Sequence, residues 1–454
     1  MVTISRNVLE PVQAHPHRRL RDTETRSTPP LRLKSAKMKL MADNSRQTRG
    51  KLRRKRVSCL WVAFILVARA QGQEQVVIDS DYPGGNIRLE RIDGDVVHVA
   101  QEMRDSQGWW FYWNFRVRGA GGRTLTFQFN GRSPVGVHGP AVSTDEGRNW
   151  AWLGANAVRG STFSYAFPAG AAAVRFCFAI PYQAADLQSF ILKHAGNSHL
   201  RIEDHAATRK GRRIERLLVG RLDGEPRYRV VLTARHHACE SIASYSLEGI
   251  LAAALADTDD GRWLRQHVEI LAVPFMDMDG VEDGDQGKNR HPHDHNRDYL
   301  GPGIYPSVRA LKEHVPGWSR GRLSLFLDLH CPYLRGGGDS PGSHERIYFV
   351  QTPNPKQAAE LEQFSRILEE VQRGPLVYSS RHNLPWGRGF NTAEGGMERN
   401  SAGWFSRQPG IRWASTVEIP YANTGGAQPV TADGARAFGR DLAAAMRRYL
   451  ESKE

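Results

Sequence analysis

Three short motifs in the second half of the chain hold residue types that could do chemistry together. They are His237-Ala238-Cys239-Glu240, Asp328-Leu329-His330 and Thr416-Val417-Glu418-Ile419. The first two offer two imidazoles and one carboxylate to a metal ion. Two His and one Glu with an open fourth position is the donor set of a catalytic zinc. The third motif ends an apolar run with a second carboxylate, Glu418. A free Glu beside such an ion is placed to act as general base on water. The expectation is one Zn2+, held by His237, Glu240 and His330. Alone, His-x-x-Glu arises often by chance. Its conjunction with a strand-terminal His330 and a strand-borne Glu418 is far more specific. Taken singly, His330 would read as a satisfied core histidine, and Glu418 as a strand-end charge paired with an Arg.

Such donors need a rigid carrier. Tyr228 to Ala234, Val268 to Val273, Ser324 to Leu329 and Ile411 to Ile419 read as buried strands. Glu240 to Leu255 reads as a helix, with Leu247, Ile250, Leu251 and Leu255 on one stripe. Pro355 to Val371 and Asp433 to Leu450 read as further helices. Alternating strands and helices predict an α/β domain over 195–454, a mixed sheet with helices on both faces. His237 and Glu240 then sit where a strand ends and a helix begins. Open α/β sheets place their sites at that edge. Tyr378 to Gln408 is rich in Gly, Arg and Asn, and long connections of this kind often line active sites. Its Arg388, Arg399 and Arg407 could supply a basic pocket, although loop arginines are more often simply solvated.

The preceding stretch has a period of two. Phe111, Trp113, Phe115 and Val117 alternate with polar residues, as do Leu125, Phe127 and Phe129, and Val174, Phe176 and Phe178. Short alternating strands separated by Gly, Pro, Asn and Ser predict an all-β sandwich over 74–192. The aromatic run Trp109 to Trp113 could be a sugar- or peptide-binding platform, but core plus domain interface is the commoner meaning.

The net charge of +14 comes almost wholly from the first 70 residues. They hold 17 Lys and Arg against 4 Asp and Glu, while the remainder holds 45 against 44. No nucleic-acid partner is inferred from that imbalance. Lys51 to Arg56 is a positive run, Val57 to Ala68 is apolar, and Ala68-Arg69-Ala70 places small residues where a signal peptidase reads. The apolar stretch is too short to span a bilayer, which takes ~20 residues. Residues 1–70 therefore read as a basic extension and secretory signal peptide, with a mature start near Gln71. Met38 or Met41 is the expected true start. A secreted or periplasmic location follows, with no stable membrane insertion after signal removal. Cys177, Cys239 and Cys331 lack a framework spacing and read as packing residues. A disulfide between Cys239 and Cys331 stays open.

Between the metal motifs lie Asp277-Met278-Asp279-Gly280, Gly287-Lys288-Asn289-Arg290 and Asp294-His295-Asn296-Arg297. The order His-x-x-Glu, an Asp-Gly turn, Asp-x-Asn-Arg, Asp-x-His and strand-borne Glu resembles the M14 family of zinc carboxypeptidases. It is most similar to the cytosolic-carboxypeptidase (Nna1-like) branch, which carries a β-sandwich before its catalytic domain. Gly84-Gly85-Asn86, Trp110-Phe111-Tyr112 and Ala179-Ile180-Pro181-Tyr182 are similar to that branch too. The resemblance implies a zinc carboxypeptidase-like catalytic domain acting on the C-terminus of a peptide or protein. It implies His237, Glu240 and His330 as zinc ligands and Glu418 as the base. Asp294 would fix the ring of His237. Asn296 and Arg297 would hold the substrate carboxylate, and Arg290 would stabilise the tetrahedral oxyanion. The tyrosine that caps substrate in the family has only Tyr378 and Tyr421 as candidates by proximity. His291, His293 and His295 alternate and could bind a second metal, though a solvated loop is the simpler reading. Two other functions use the same features: a related zinc amidase acting on cell-wall peptides, and an inactive binding relative.

Overall fold

A computed structural model describes residues 75–394, 396–424 and 429–453. The basic run, the apolar stretch and the cleavage site read as a signal peptide lie outside the described residues. The described residues form one compact unit.

The metal motifs are carried by a seven-stranded sheet. Its spatial order is Leu200–Ala207, Arg213–Gly220, Val268–Val273, Tyr228–Ala234, Leu323–His330, Trp413–Glu418 and Tyr348–Phe349. The four strands from Val268–Val273 to Trp413–Glu418 run parallel, and the other pairs are antiparallel. The parallel strands are buried along their whole length. That is why they read as continuous apolar runs rather than alternating ones. The helices Ser241–Leu255, Pro355–Val371 and Ala432–Glu451 fall within about two residues of the ranges the sequence predicts. The first and last of these approach closely through glycines. A Cβ on Gly249 would lie 2.2 Å from the Arg436 carbonyl oxygen, and one on Gly439 would lie 2.1 Å from that of Ser246.

The hairpin Leu200–Ala207 and Arg213–Gly220 and the helices Asp259–His267 and Pro306–Ser319 were not expected. The last carries Val308, Leu311 and Val315 on one buried stripe but contains Pro316, a residue that argues against a helix in the sequence. Tyr378 to Gln408 is largely irregular, with short turns at Ser380–His382 and Met397–Arg399 and a short helix at Ser401–Phe405.

Residues 77–177 contribute ten strands in two five-stranded sheets. These face one another through aromatic rings: Phe115 and Phe176 of one sheet each lie 5.3 Å from Phe127 of the other. The run Trp110 to Trp113 is buried throughout rather than alternating. The reason is that it also meets the seven-stranded half. The backbone N–H groups of Phe111 and Tyr112 donate to Gln286 Oε1, at 2.6 and 3.2 Å. Phe111 also packs against Tyr421 at 5.8 Å.

One buried group on the sheet makes stability depend on pH. His205 donates Nε2–H to the Ser307 carbonyl at 2.8 Å, and burial holds its pKa down at about 4, against 6.5 when exposed. The unfolded chain therefore binds the extra proton first. Stability from this site is complete above pH 6.5 and drains as pH falls towards 4, by up to about 3 kcal/mol. In urea titrations across that window, His205→Gln is expected to show a shallower decline than wild type.

Candidate metal centre and substrate cavity

The chain leaves the Tyr228–Ala234 strand through Arg235, whose φ of 60° is left-handed. Its buried guanidinium holds the loop that follows. Nε donates to the Ala238 carbonyl at 2.9 Å, and Nη1 to the Tyr182 carbonyl at 2.8 Å. Beneath the loop passes Gly287, with φ 80°, where a Cβ would lie 2.4 Å from the Ala238 nitrogen. A side chain there would push the His237–Glu240 turn off its support. Glu240 caps the helix Ser241–Leu255 but makes no side-chain capping bond. Its carboxylate stays available, at the helix end whose dipole favours negative charge.

Three donors converge. His237 Nδ1 lies 2.8 Å from Glu240 Oε1, and His330 Nδ1 lies 2.8 Å from Glu240 Oε2. The two Nδ1 atoms are 3.2 Å apart. The donor atoms of His237, Glu240 and His330 all lie within 4.8 Å of one another. Glu240 Oε2 is buried without a hydrogen-bond partner, and so is Glu418 Oε2. Two imidazole nitrogens and an orphaned carboxylate oxygen turned together fit a divalent ion with N/O preference, as zinc has.

A second group, His236, Asp328 and His330, is also compact enough to hold an ion. Its hydrogen bonds are already made. Asp328 accepts from Thr233 Oγ1 at 2.7 Å, His236 Nδ1 at 2.8 Å, His330 Nε2 at 2.7 Å and Ser401 Oγ at 2.5 Å. His236 Nε2 pairs with the Tyr299 hydroxyl at 2.7 Å. With these atoms satisfied, the first group is the better candidate for a metal centre. The histidines around Asp328 hold its carboxyl well below the usual range, outweighing the upward push of burial.

Glu418 is the direct register partner of His330 on the adjacent parallel strand. It is buried, and burial raises its pKa; Glu240 pushes the same way, while Lys288 and His330 oppose. Asn296 and Arg297 lie on the turn His295–Arg297, where the Ser401 N–H anchors Asn296 Oδ1 at 3.0 Å. His237, His330, Glu418, Asn296 and Arg297 line one cavity of about 60 Å³. Asp294 Oδ1 stands 3.6 Å from His237 Nε2, an ion-pair distance rather than a hydrogen bond.

Arg290 departs from expectation. Its guanidinium is clamped by three carboxylates: Asp105, Asp277 at 2.6 Å and Asp285 at 3.1 Å. It lines a different cavity of about 510 Å³ that contains none of the three metal donors. Lys288 occupies the metal site instead. Its buried ammonium donates to Glu240 Oε1 and, at 2.8 Å, to the Cys331 carbonyl. Sequence spacing alone does not choose between two cations two residues apart. Their partners from elsewhere in the chain do, Glu240 for Lys288 and Asp105 and Asp277 for Arg290.

The alternating histidines separate. His291 lines the larger cavity, His293 pairs with Asp298 at 2.6 Å, and His295 stacks on Tyr305 at 3.6 Å. Among the described residues they form no metal group. Tyr378 bonds Asn383 at 3.1 Å and Tyr421 contacts Cys239 Sγ at 3.2 Å, both fully buried and outside the site cavity. Cys177, Cys239 and Cys331 are free and buried. Arg388, Arg399 and Arg407 do not line the site cavity.

No family model matches the chain. An uncharacterised protein of Zymomonas mobilis is 24% identical over 261 residues, 56% of this chain and 67% of that one. Cytosolic carboxypeptidase 6 of Caenorhabditis elegans is 22% identical over 329 residues, 64% of this chain and 71% of its own length. The crystal structure of a metallo-carboxypeptidase from Burkholderia cenocepacia superposes with a TM-score of 0.70 at 18% identity, over 84% of this chain and all of that one. The fold is therefore that of the metallo-carboxypeptidase structures. The sequence relatives include cytosolic carboxypeptidases, among them cytosolic carboxypeptidase 3 of Bos taurus, 28% identical over 181 residues, 37% of this chain and 18% of that one.

Arg290 and its three carboxylates can be tested as a structural unit. Arg290→Met strands buried charge and is expected to cost about 3–5 kcal/mol, read as a lower denaturant midpoint. Arg290→Lys, which keeps a cation among the carboxylates, is expected to retain wild-type kcat while losing part of that stability.

Proposed function

We propose that the chain is a zinc-dependent metallocarboxypeptidase that hydrolyses C-terminal residues of peptides or proteins, with Glu418 as general base. One observation carries this reading. The two donor imidazoles His237 and His330, the buried unpartnered carboxylate Glu418 and the Asn296–Arg297 pair line a single cavity. A zinc held by His237, Glu240 and His330 would supply a Lewis acid for the scissile carbonyl and acidify water.

The remaining work falls to the chain's own residues. Arg297 and Asn296 bind the terminal carboxylate, a task suited to a guanidinium. Glu418 takes a proton from the attacking water and returns it to the departing amine, as the C–O bond forms and the C–N bond breaks. Its raised pKa brings it nearer the working range of a base. Lys288, bonded to Glu240 and the Cys331 carbonyl, places a fixed positive charge behind the donor set, in place of the Arg290 that the family resemblance implied. The rest of the cavity wall includes Val350, Phe390, Met397 and Thr416, which favours an uncharged C-terminal side chain. The two facing sheets of the first half act as a β-sandwich domain, 74–192, docked on the catalytic domain, 195–454. The signal-like segment directs export to the periplasm or outside the cell.

A peptide set with free and amidated C-termini, ending in Glu, Lys or Phe, tests the activity by mass spectrometry with and without chelator. The expected result is metal-dependent loss of the last residue from free termini, Phe ahead of Glu. Cleavage of amidated peptides at the same rate would point to an amidase instead. Glu418→Gln is expected to lower kcat by about 10²–10⁴-fold with zinc content unchanged. Wild-type kcat/KM should fall on the acid side as Glu418 protonates, and that limb should be lost in Glu418→Gln. Intact-mass measurement of exported protein is expected to place the mature N-terminus near Gln71.

A further inference from the structure

The buried cluster around Asp328 does more than satisfy itself. Asp328 has no exposed surface and accepts four side-chain hydrogen bonds, two on each oxygen. An ionised carboxylate only accepts, so each ring nitrogen facing it carries a proton. For His330 this puts the proton on Nε2 and leaves the Nδ1 lone pair for the metal. For His236 it puts the proton on Nδ1, and Nε2 accepts from the Tyr299 hydroxyl. The 3.4 Å approach of Asn296 Nδ2 to His330 Nε2 is then a packing contact, since both atoms carry hydrogen.

Ser401 extends the cluster towards the substrate. Its hydroxyl donates to Asp328 and its backbone N–H donates to Asn296 Oδ1. Tyr299, on the other side, donates its N–H to the Arg399 carbonyl at 3.0 Å, in the same segment of chain. One carboxylate thus touches a metal ligand directly and the Asn296 side chain through one residue.

We propose that Asp328 is a positioning residue that fixes the tautomer of His330 and, through Ser401, ties the metal ligand to the Asn296–Arg297 grip, so that zinc affinity and substrate-carboxylate affinity are coupled. This rests on the metallocarboxypeptidase reading above. Outer partners of metal-ligating histidines are worth about 10–100-fold in metal affinity. Here the same partner reaches the substrate side as well.

The test uses the full mature chain. Zinc affinity is measured by chelator competition, ligand geometry by the absorption spectrum of the cobalt-substituted protein, and KM at saturating zinc. Asp328→Asn is expected to weaken zinc binding by about 10–100-fold, alter the cobalt spectrum and raise KM. Ser401→Ala keeps the backbone bond to Asn296 and is the milder change; it is expected to raise KM with kcat nearly unchanged. Wild-type zinc affinity, cobalt spectrum and KM in folded Asp328→Asn would overturn the proposal. If that variant does not fold, wild-type KM and zinc affinity in Ser401→Ala would do so. A wild-type protein that binds zinc but cleaves no peptide defeats the functional reading alone, because the zinc and cobalt measurements still report on Asp328.

Discussion

The structure turns on a carboxylate, Glu240, held without solvent contact between two imidazoles and an ammonium. Burial alone would push such a group neutral. The cations and imidazoles around it more than reverse that, and Glu240 is held well below the normal carboxyl range. Every other feature of the site serves to keep those charges in place. The parallel strands deliver His330 and Glu418, the strand-to-helix turn delivers His237 and Glu240, and Arg235 props the turn from within.

That arrangement also gives the first half of the chain a task. The loop 284–288 is gripped from the β-rich side: Asn86 Nδ2 donates to the Gly284 carbonyl at 2.9 Å, and Gln286 binds the backbone of Phe111 and Tyr112. The same loop donates Lys288 to the metal site and supports Cys239 N–H through the Gln286 carbonyl at 3.0 Å. Packing of the aromatic run is therefore linked to the geometry of the donors.

Much of this was legible in the sequence, for a physical reason. Strands buried on both faces must be continuous apolar runs, so Tyr228–Ala234 and Val268–Val273 could be bounded to the residue. His237, Glu240, His330 and Glu418 stood out because each lies at the end of such a run. Arg290 and Lys288 did not resolve, because which cation turns inward depends on partners distant in sequence, Asp105 and Asp277 for one and Glu240 for the other. Arg235 left no periodic signal at all. The cluster around Asp328 was visible only as a tripeptide, since Ser401 and Thr233 reach it from other elements.

The pairing of His330 with Glu418 has a further meaning. They are opposite one another on neighbouring parallel strands, so their span is set by the backbone ladder, about 4.8 Å between strands, rather than by any loop. A ruler built of peptide bonds does not drift when surface segments lengthen, shorten or change composition. Segments along the rim can be rewritten while the Glu418 and His330 positions keep their separation.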